Sequence, residues 1–196
     1  DRAFSARPIY RRHLVGRGCF VIFLSSNAVF DGAVPHRSAD SPMCPTTPYG
    51  EQKAATERQI MGLGDSVAVL RLTKVLTPTL ALFKGWIEAL KNGREITPFR
   101  DMVIAPVPVS LVTEALARIA EQRAGGIFQA SASRDVSYAE AASHIACRLG
   151  AHPALVRPGT ADAGIPTADV PRHTTLDAAR LGALIGRPAP DPFDVI

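Results

Sequence analysis

A phenol, an ammonium group and a hydroxyl are spaced along this chain as carbonyl chemistry needs them. Tyr49 and Lys53 lie four positions apart, so on a helix both side chains share one face. An ammonium beside a phenol lowers the phenol's pKa toward neutral pH, and a hydroxyl such as that of Ser26 can hydrogen-bond a reacting oxygen. The three residues predict proton transfer at a carbonyl oxygen. The alternative is a surface tyrosine and lysine on an ordinary amphipathic helix.

The segments around these residues predict a strand–helix–strand unit. Residues 19–24 form a continuous apolar run that ends in two serines, which is typical of a strand buried on both faces of a parallel sheet. Thr47 is a suitable N-cap, and Pro48 suits the first position of a helix that carries the tyrosine and the lysine. A second buried strand is predicted at residues 66–72. This crossover places Ser26 at the carboxyl end of a strand, where open α/β sheets bind ligands.

Three stretches carry a family resemblance: FLSSNAVFDG at 23–32, PYGEQK at 48–53 followed by Glu57, and VLRL at 69–72. Together they resemble the extended short-chain dehydrogenase/reductases, and most of all the dTDP-4-dehydrorhamnose reductase branch. The resemblance covers most of residues 19–188 and is specific in residues 22–72. Weaker similarity continues downstream, at residues 99–101 leading to 106–109, at 126–128 and at 171–177.

The resemblance implies chemical roles for individual residues. Ser26 would polarise the substrate carbonyl, Tyr49 would exchange a proton with its oxygen, and Lys53 would lower the Tyr49 pKa and hold the nicotinamide ribose. The cofactor, NADPH or NADH, would deliver hydride to the carbonyl carbon. The implied cofactor-binding residues are Ser25, Tyr49, Lys53 and Lys74. The implied substrate-binding residues are Asn27, Thr77, Arg100 and Asp101.

Four positions depart from the branch. Its members usually have Thr-Asp-Tyr where this chain has Ser26, Asn27 and Ala28, and more often an aromatic residue where it has Lys74. Serine for threonine keeps the hydroxyl, so the chemistry is expected to survive. The changes at Asn27 and Ala28 leave the identity of the sugar open.

The sequence has no glycine-rich turn of the kind that binds the dinucleotide pyrophosphate in this family. Gly16-Arg17-Gly18 precedes a strand and Gly62-Leu63-Gly64 follows a helix, so we interpret them as a turn and a helix cap. We therefore expect the catalytic half of a doubly wound fold, with an edge strand covered by a helical end within residues 1–18. A fragment, a split protein and a trimmed non-catalytic descendant all fit this pattern, and Asp1 in place of Met favours a fragment or a processed chain.

The predicted fold class is α/β: a partial Rossmann-type, doubly wound parallel sheet with a small C-terminal substrate-binding lobe. Residues 1–73 are assigned to the sheet domain and 74–196 mainly to the lobe, with 109–150 returning to the sheet. The further predicted elements are helices at 79–92, 110–122 (capped by Ser110), 137–149 (capped by Ser137 and ended by Gly150) and 176–184, a strand at 127–130, and a loop at 151–172. Phe83 and Trp86 could stack on a base, but their helical spacing favours core packing.

Composition excludes several classes of protein. The formal net charge is +4 and many arginines fall in residues 2–17, where we prefer a solvated helix face to nucleic-acid binding. No apolar run reaches the ~18 residues of a membrane span, and no secretory signal opens the chain. Three scattered cysteines and five histidines show neither a disulfide framework nor metal-ligand spacing. A cytoplasmic protein without metal, membrane or nucleic-acid partners is expected.

The leading functional prediction is NAD(P)-dependent reduction of a keto-sugar nucleotide by Ser26, Tyr49 and Lys53. One alternative is an epimerase or dehydratase of the same family, which uses the same three residues. Another is a non-catalytic sugar-nucleotide-binding or regulatory subunit, which the absence of the glycine turn favours and the intact trio opposes. The resemblance also implies a homodimer through the helix that contains Tyr49.

Overall fold

The computed structural model describes residues 15–77, 80–161 and 170–196. The strands are β1 (Val21–Ser26), β2 (Val67–Leu72), β3 (Lys74–Leu76), β4 (Val103–Ile104), β5 (Pro106–Pro108), β6 (Gly126–Ala130) and β7 (Val136–Ser137). The helices are α1 (Pro48–Met61), α2 (Ala81–Lys91), α3 (Val109–Glu121), α4 (Tyr138–Leu149), α5 (Ala179–Ile185) and α6 (Pro192–Val195). Short 3₁₀ turns lie at Asn27–Val29 and Pro153–Leu155.

The main sheet is parallel and has the strand order β1-β2-β6. Val21 pairs with Val67 and Ser26 with Leu72, so the carboxyl ends of β1 and β2 meet at one edge of the sheet. The α/β class and the strand–helix–strand unit predicted from the sequence are confirmed. Among the described strands β1 is an edge strand, and Leu24 near its end is 41% exposed.

Both faces of the sheet are covered by helices, which explains the apolar runs of its strands. On one face, Val67 and Val69 pack with Ile60 of α1. On the other, Ala68 and Leu70 pack with side chains of α3 and α5. Because successive residues of a strand point to opposite faces, a strand covered on both sides must be apolar throughout. All four of these β2 residues are fully buried.

Local signals fix the ends of two helices as predicted. The Thr47 hydroxyl accepts a hydrogen bond from Gly50 N at 3.1 Å, and Pro48 occupies the first position of α1. The Ser137 hydroxyl and the Glu140 carboxylate form a reciprocal capping box at the start of α4. The backbone N–H and the hydroxyl of Ser137 hold the pKa of Glu140 below its usual value. Gly150 ends α4 in the left-handed conformation.

A second apolar cluster lies between α2 and α4. It contains Phe83 and Trp86, whose ring centroids are 5.3 Å apart. Both aromatic side chains are more than nine-tenths buried, so they pack in this core rather than presenting a face to a base. The boundary at residue 73 remains a prediction. No helix in the described ranges is long and apolar enough to cross a membrane.

Several predicted elements need correction. Ser110 does not cap α3, because the helix already begins at Val109, directly after the rigid, extended Pro108. The last predicted helix begins at Ala179 rather than 176, because Leu176 instead forms a parallel bridge with Arg37. No sequence pattern predicted the short strands β3, β4, β5 and β7 or the helix α6. Residues 1–14, 79 and 162–169 of the predicted segments lie outside the described residues.

One buried ion pair joins the sheet to α1. Arg71 of β2 donates from Nη2 to the Glu57 carboxylate at 2.7 Å and from Nε to both carboxylate oxygens at 3.1 Å. Both side chains are 1% exposed. Arg71 Nη1 also donates to Ala39 O at 3.1 Å and to the Gln129 amide oxygen at 3.3 Å. The Phe30 ring stacks near the guanidinium at 4.9 Å.

Glu57→Gln should lower the free energy of unfolding by about 3–5 kcal/mol, because it leaves the Arg71 charge buried without its counter-ion. Urea denaturation of both forms measures the loss. The matched control is Glu88→Gln, since the Lys84–Glu88 pair is exposed, with a 3.9 Å separation, and such pairs contribute about 0–1 kcal/mol. Equal losses in the two variants would show that the buried pair does not stabilise the fold.

Candidate functional site

The end of β1 presents two serines in different environments. The Ser26 hydroxyl accepts a hydrogen bond from Ala28 N at 3.2 Å and donates to the Asn27 side-chain oxygen at 3.3 Å. It therefore caps the turn Asn27–Val29 and remains half-buried at the strand end. The Ser25 hydroxyl is buried and has no hydrogen-bond partner among the described residues. A cofactor contact through Ser25 would need a local rearrangement.

Tyr49 and Lys53 occupy the first turns of α1 and share one side, as their spacing predicts. The Lys53 ammonium lies 5.6 Å from the Tyr49 ring centroid and 5.0 Å from that of Phe23. It donates a hydrogen bond to Leu24 O at 2.9 Å, which fixes the charge at the carboxyl end of β1. Tyr49 is 53% exposed, so its phenol is accessible to a ligand. The structure thus brings a phenol, an ammonium and the Ser26 strand end together.

Gly50 allows α1 to approach the turn after β1. A Cβ built on Gly50 would lie 2.1 Å from Ala28 O and 3.0 Å from Pro45 Cβ. No side chain fits there, although the glycine lies inside a helix. The backbones of α1 and of the turn Asn27–Val29 are therefore in direct contact, and this contact sets the position of Tyr49 relative to Ser26.

The other predicted site residues lie elsewhere or have structural partners. Lys74 and Thr77 are exposed, on and after β3. The Asp101 carboxylate accepts hydrogen bonds from Ala161 N at 2.9 and 3.1 Å and so holds the segment near residue 161. Arg100 N donates to Gly159 O at 3.0 Å. The described hydrogen bonds and ion pairs do not join Lys74, Arg100 or Asp101 to Tyr49 or Lys53.

A cavity of about 160 Å³ adjoins this site, next to Asn27. Its walls come from the turn after β1, the loop before α1 and a segment near the C-terminus. Its lining residues include Asn27, Asp31, Gly32, Val34, Arg37 and His173. Arg37 Nη2 donates to the Asp31 carboxylate at 3.0 Å. A hydrogen bond from Ala33 N, and secondarily the Arg37 guanidinium, hold the pKa of Asp31 below its usual value.

The sequence patterns assign no site role to His173 or to Arg37, both of which line this cavity. His173 lies in the stretch PRHTTLD at 171–177, which carries part of the resemblance. Arg37 lies shortly after the stretch FLSSNAVFDG at 23–32, which contains its partner Asp31. Neither stretch contains a pattern that predicts that the two lie close together in the fold. Among the described residues, no group of three or more His, Cys, Asp or Glu side chains could hold a metal ion.

A parallel sheet covered by helices, with serine, tyrosine and lysine gathered at one strand end, defines the Rossmann-like short-chain dehydrogenase/reductase class. A family model described as the RmlD substrate binding domain matches residues 13–191, and the chain belongs to this family. The resemblance found in the sequence is thereby confirmed.

Three proteins illustrate the similarity. Methionine adenosyltransferase 2 subunit beta of Bos taurus is 29% identical over 193 residues, which covers 88% of this chain and 55% of the relative. A dTDP-4-dehydrorhamnose reductase from Bacillus anthracis in complex with NADP has a TM-score of 0.78 at 18% identity, covering 95% of this chain and 68% of that one. MoeE5 in complex with UDP-glucose and NAD has a TM-score of 0.75 at 24% identity, covering 97% and 67%.

The two solved structures and the curated relative differ in what they show about this chain. At 18% and 24% identity the two solved structures show a shared fold. The chain spans about half the length, 55%, of the curated relative it matches. Nicotinamide dinucleotides and a nucleotide sugar are bound by the structural relatives, and their binding by this chain is a proposal.

Gly50→Ala should destabilise the fold by about 2 kcal/mol or more, because the new methyl group overlaps Ala28 O and forces α1 away from the turn. The measurement is the midpoint of thermal or urea unfolding. Gly85→Ala is the matched control, since this glycine lies in α2 with open space around it and alanine there should stabilise by up to about 1 kcal/mol. A Gly50→Ala protein as stable as Gly85→Ala would disprove the close contact.

Proposed function

We propose that the site formed by Ser26, Tyr49 and Lys53 reduces the carbonyl group of a keto-sugar nucleotide with NADPH or NADH. The observation that carries the proposal is the position of the Tyr49–Lys53 pair at the carboxyl end of β1, where Lys53 bonds Leu24 O. This is the edge at which open α/β sheets bind ligands. Family membership supports the same chemistry.

Each residue has a role that its position allows. Tyr49 donates its phenolic proton to the carbonyl oxygen as that oxygen gains negative charge. Lys53 favours the phenolate that remains, because its ammonium lies near the ring. The Ser26 hydroxyl can turn from the Asn27 side chain to donate to the same oxygen. A bound nicotinamide supplies the hydride, so the carbonyl becomes an alcohol and the cofactor is oxidised.

The described residues fit the nicotinamide end of such a cofactor. The accessible Tyr49 phenol and the Lys53 ammonium can both hydrogen-bond the hydroxyls of a ribose. Lys53 uses one of its three donors on Leu24 O, which leaves two for a ligand. The 196 residues contain no glycine-rich turn for the pyrophosphate. A measurement of binding of the whole dinucleotide therefore tests the proposal most directly.

A second candidate function is a sugar-nucleotide-binding or regulatory subunit without catalysis. The curated relative that covers 88% of this chain is named as a subunit of another enzyme, methionine adenosyltransferase. The Ser26 hydroxyl, which already caps a turn, is compatible with a purely structural role. Reductase and subunit differ in one respect that can be measured, which is turnover that depends on Tyr49.

A homodimer through α1 remains a prediction. The exposed residues of this helix are mostly polar, namely Pro48, Tyr49, Glu51, Gln52, Ala55, Arg58 and Gln59. An interface there would depend on hydrogen bonds and ion pairs more than on apolar burial.

NADPH, and then NADH, should bind the 196-residue chain saturably in a fluorescence titration. Lys53→Met should weaken binding by about ten- to a hundredfold, the equivalent of a charge-assisted hydrogen bond of ~1.5–3 kcal/mol. Lys91→Met, at the end of α2, should bind as the parent does. A folded chain that binds neither dinucleotide overturns the reductase proposal for this chain and favours the subunit.

Tyr49→Phe should lower the rate of NADPH oxidation in the presence of dTDP-4-dehydrorhamnose by about 10²–10⁴-fold, because the proton donor is lost. The matched control is Tyr138→Phe, since Tyr138 packs edge-on against Trp86 in the second core. Its turnover should equal that of the parent. Full activity of Tyr49→Phe contradicts the assignment of the proton donor.

A further inference from the structure

We propose that Phe23 is a positioning residue of the candidate site: its ring holds the Lys53 ammonium at the carboxyl end of β1 without neutralising the charge. This inference rests on the proposed function, since Lys53 is the residue that would favour the phenolate and bind the ribose there. Three features of the described residues carry it: the surroundings of the ammonium, the anchoring of the Phe23 ring and the ion pairs, none of which includes Lys53.

The Lys53 ammonium lies near two aromatic rings and one carbonyl oxygen. Its Nζ is 5.0 Å from the ring centroid of Phe23 and 5.6 Å from that of Tyr49. Both distances are inside the ~6 Å at which the negative face of a ring attracts a cation. A hydrogen bond to Leu24 O at 2.9 Å adds a directional contact. The end of a long and otherwise mobile side chain therefore has a defined position.

The open edge of β1 makes the Leu24 carbonyl available. Val21 N donates to Ser66 O at 3.0 Å, so the backbone polar groups of Val21 point toward β2. Because these groups alternate in direction along a strand, those of Leu24 point toward the other edge, where β1 has no neighbour among the described strands. The Phe23 ring and the Leu24 carbonyl, which belong to consecutive residues, thus hold the ammonium from one strand.

Phe23 is the anchored ring of the two. It packs with the apolar cluster that contains Ile60 and Val69 beneath α1, and its backbone pairs with Val69 of β2. Tyr49 is 53% exposed, as a residue that must meet a substrate has to be. Without the Phe23 ring, Lys53 would keep only an exposed ring and one carbonyl as partners. The Phe23 ring therefore sets where the ammonium rests.

An aromatic ring holds a cation without cancelling its charge. The ion pairs among the described residues do not include Lys53. A carboxylate beside the ammonium would compensate its charge and occupy its N–H donors. A ring attracts the ammonium through its quadrupole, so the positive charge stays available to a phenolate and the donors to a ribose. Leucine in place of Phe23 would keep the apolar packing and lose this attraction.

The contact can be measured without a ligand, because the chain has four lysines, at positions 53, 74, 84 and 91. In nuclear magnetic resonance spectra of a sample with isotopically labelled lysine, the Lys53 Hε protons should lie upfield of those of the exposed Lys84 and Lys91, because ring faces shield them. Lys53→Met assigns the signal by removing it. Phe23→Leu should move the signal toward the exposed lysines, and Phe23→Tyr, which keeps the ring, should leave it upfield.

A double-mutant cycle tests what the contact does for the site. Phe23→Leu should weaken NADPH binding by about three- to tenfold, the loss expected for one cation–π contact, and Phe23→Tyr should bind as the parent does. In a Lys53→Met background, Phe23→Leu should have no further effect, because Phe23 acts through the ammonium. A residue that only supports the fold would weaken binding equally in both backgrounds.

Phe20→Leu is the matched control. Phe20 is also partly buried, directly before Val21 at the amino end of β1, and its ring centroid lies 5.6 Å from the guanidinium carbon of Arg123. The substitution removes the same kind of contact at the opposite end of the strand. It should leave both the Lys53 signal and the NADPH affinity at the parent values.

The outcomes separate this inference from the proposed function. A parent Lys53 signal that coincides with those of the exposed lysines, or that Phe23→Leu does not move, overturns the positioning role. An equal loss of NADPH affinity from Phe23→Leu with and without Lys53 overturns it as well. The reductase proposal fails differently, in a folded chain that binds no dinucleotide. If the Lys53 signal of such a chain still responds to Phe23→Leu, the placement of Lys53 by Phe23 is supported and the non-catalytic subunit is favoured.

Discussion

The buried Arg71–Glu57 pair is the interaction on which the candidate site depends. It links the central strand to α1 in a region where neither charge reaches water, so each ion is stabilised only while the other stays in place. The remaining donors of Arg71 extend the link to Ala39 and Gln129. Gln129 in turn donates to Arg37 O at 2.8 Å and Asp177 O at 3.0 Å. A single polar network therefore positions the helix that carries Tyr49, the loop after β1 and the C-terminal segment.

Two close backbone contacts add to the positioning of these segments by the polar network. Gly50 brings α1 against the turn that Ser26 caps, and Gly32 brings the C-terminal segment against the loop after that turn. Rigid placement of this kind is what proton transfer and ligand selection require, because both depend on distances fixed to fractions of an ångström.

Membership of the RmlD substrate-binding-domain family and the Rossmann-like fold agree with this arrangement. The similar proteins include one named as a reductase and one named as a subunit of methionine adenosyltransferase, so the fold by itself does not decide between turnover and binding. What separates these roles here is the use of Tyr49.

The amino-acid sequence alone specifies the strand–helix–strand unit, the caps at Thr47 and Ser137, and the shared side of Tyr49 and Lys53. Each of these follows from residues within one or two helical turns, where backbone geometry fixes the neighbours. It misplaced the start of α3 and missed β3, β4, β5 and β7, whose two or three residues show no periodicity. The contacts of His173 with Asp135 and of Gly32 with Pro171 are set by the packing of the fold, because they join residues 38 and more than a hundred positions apart. Such pairings depend on how the whole chain packs, which no local pattern specifies.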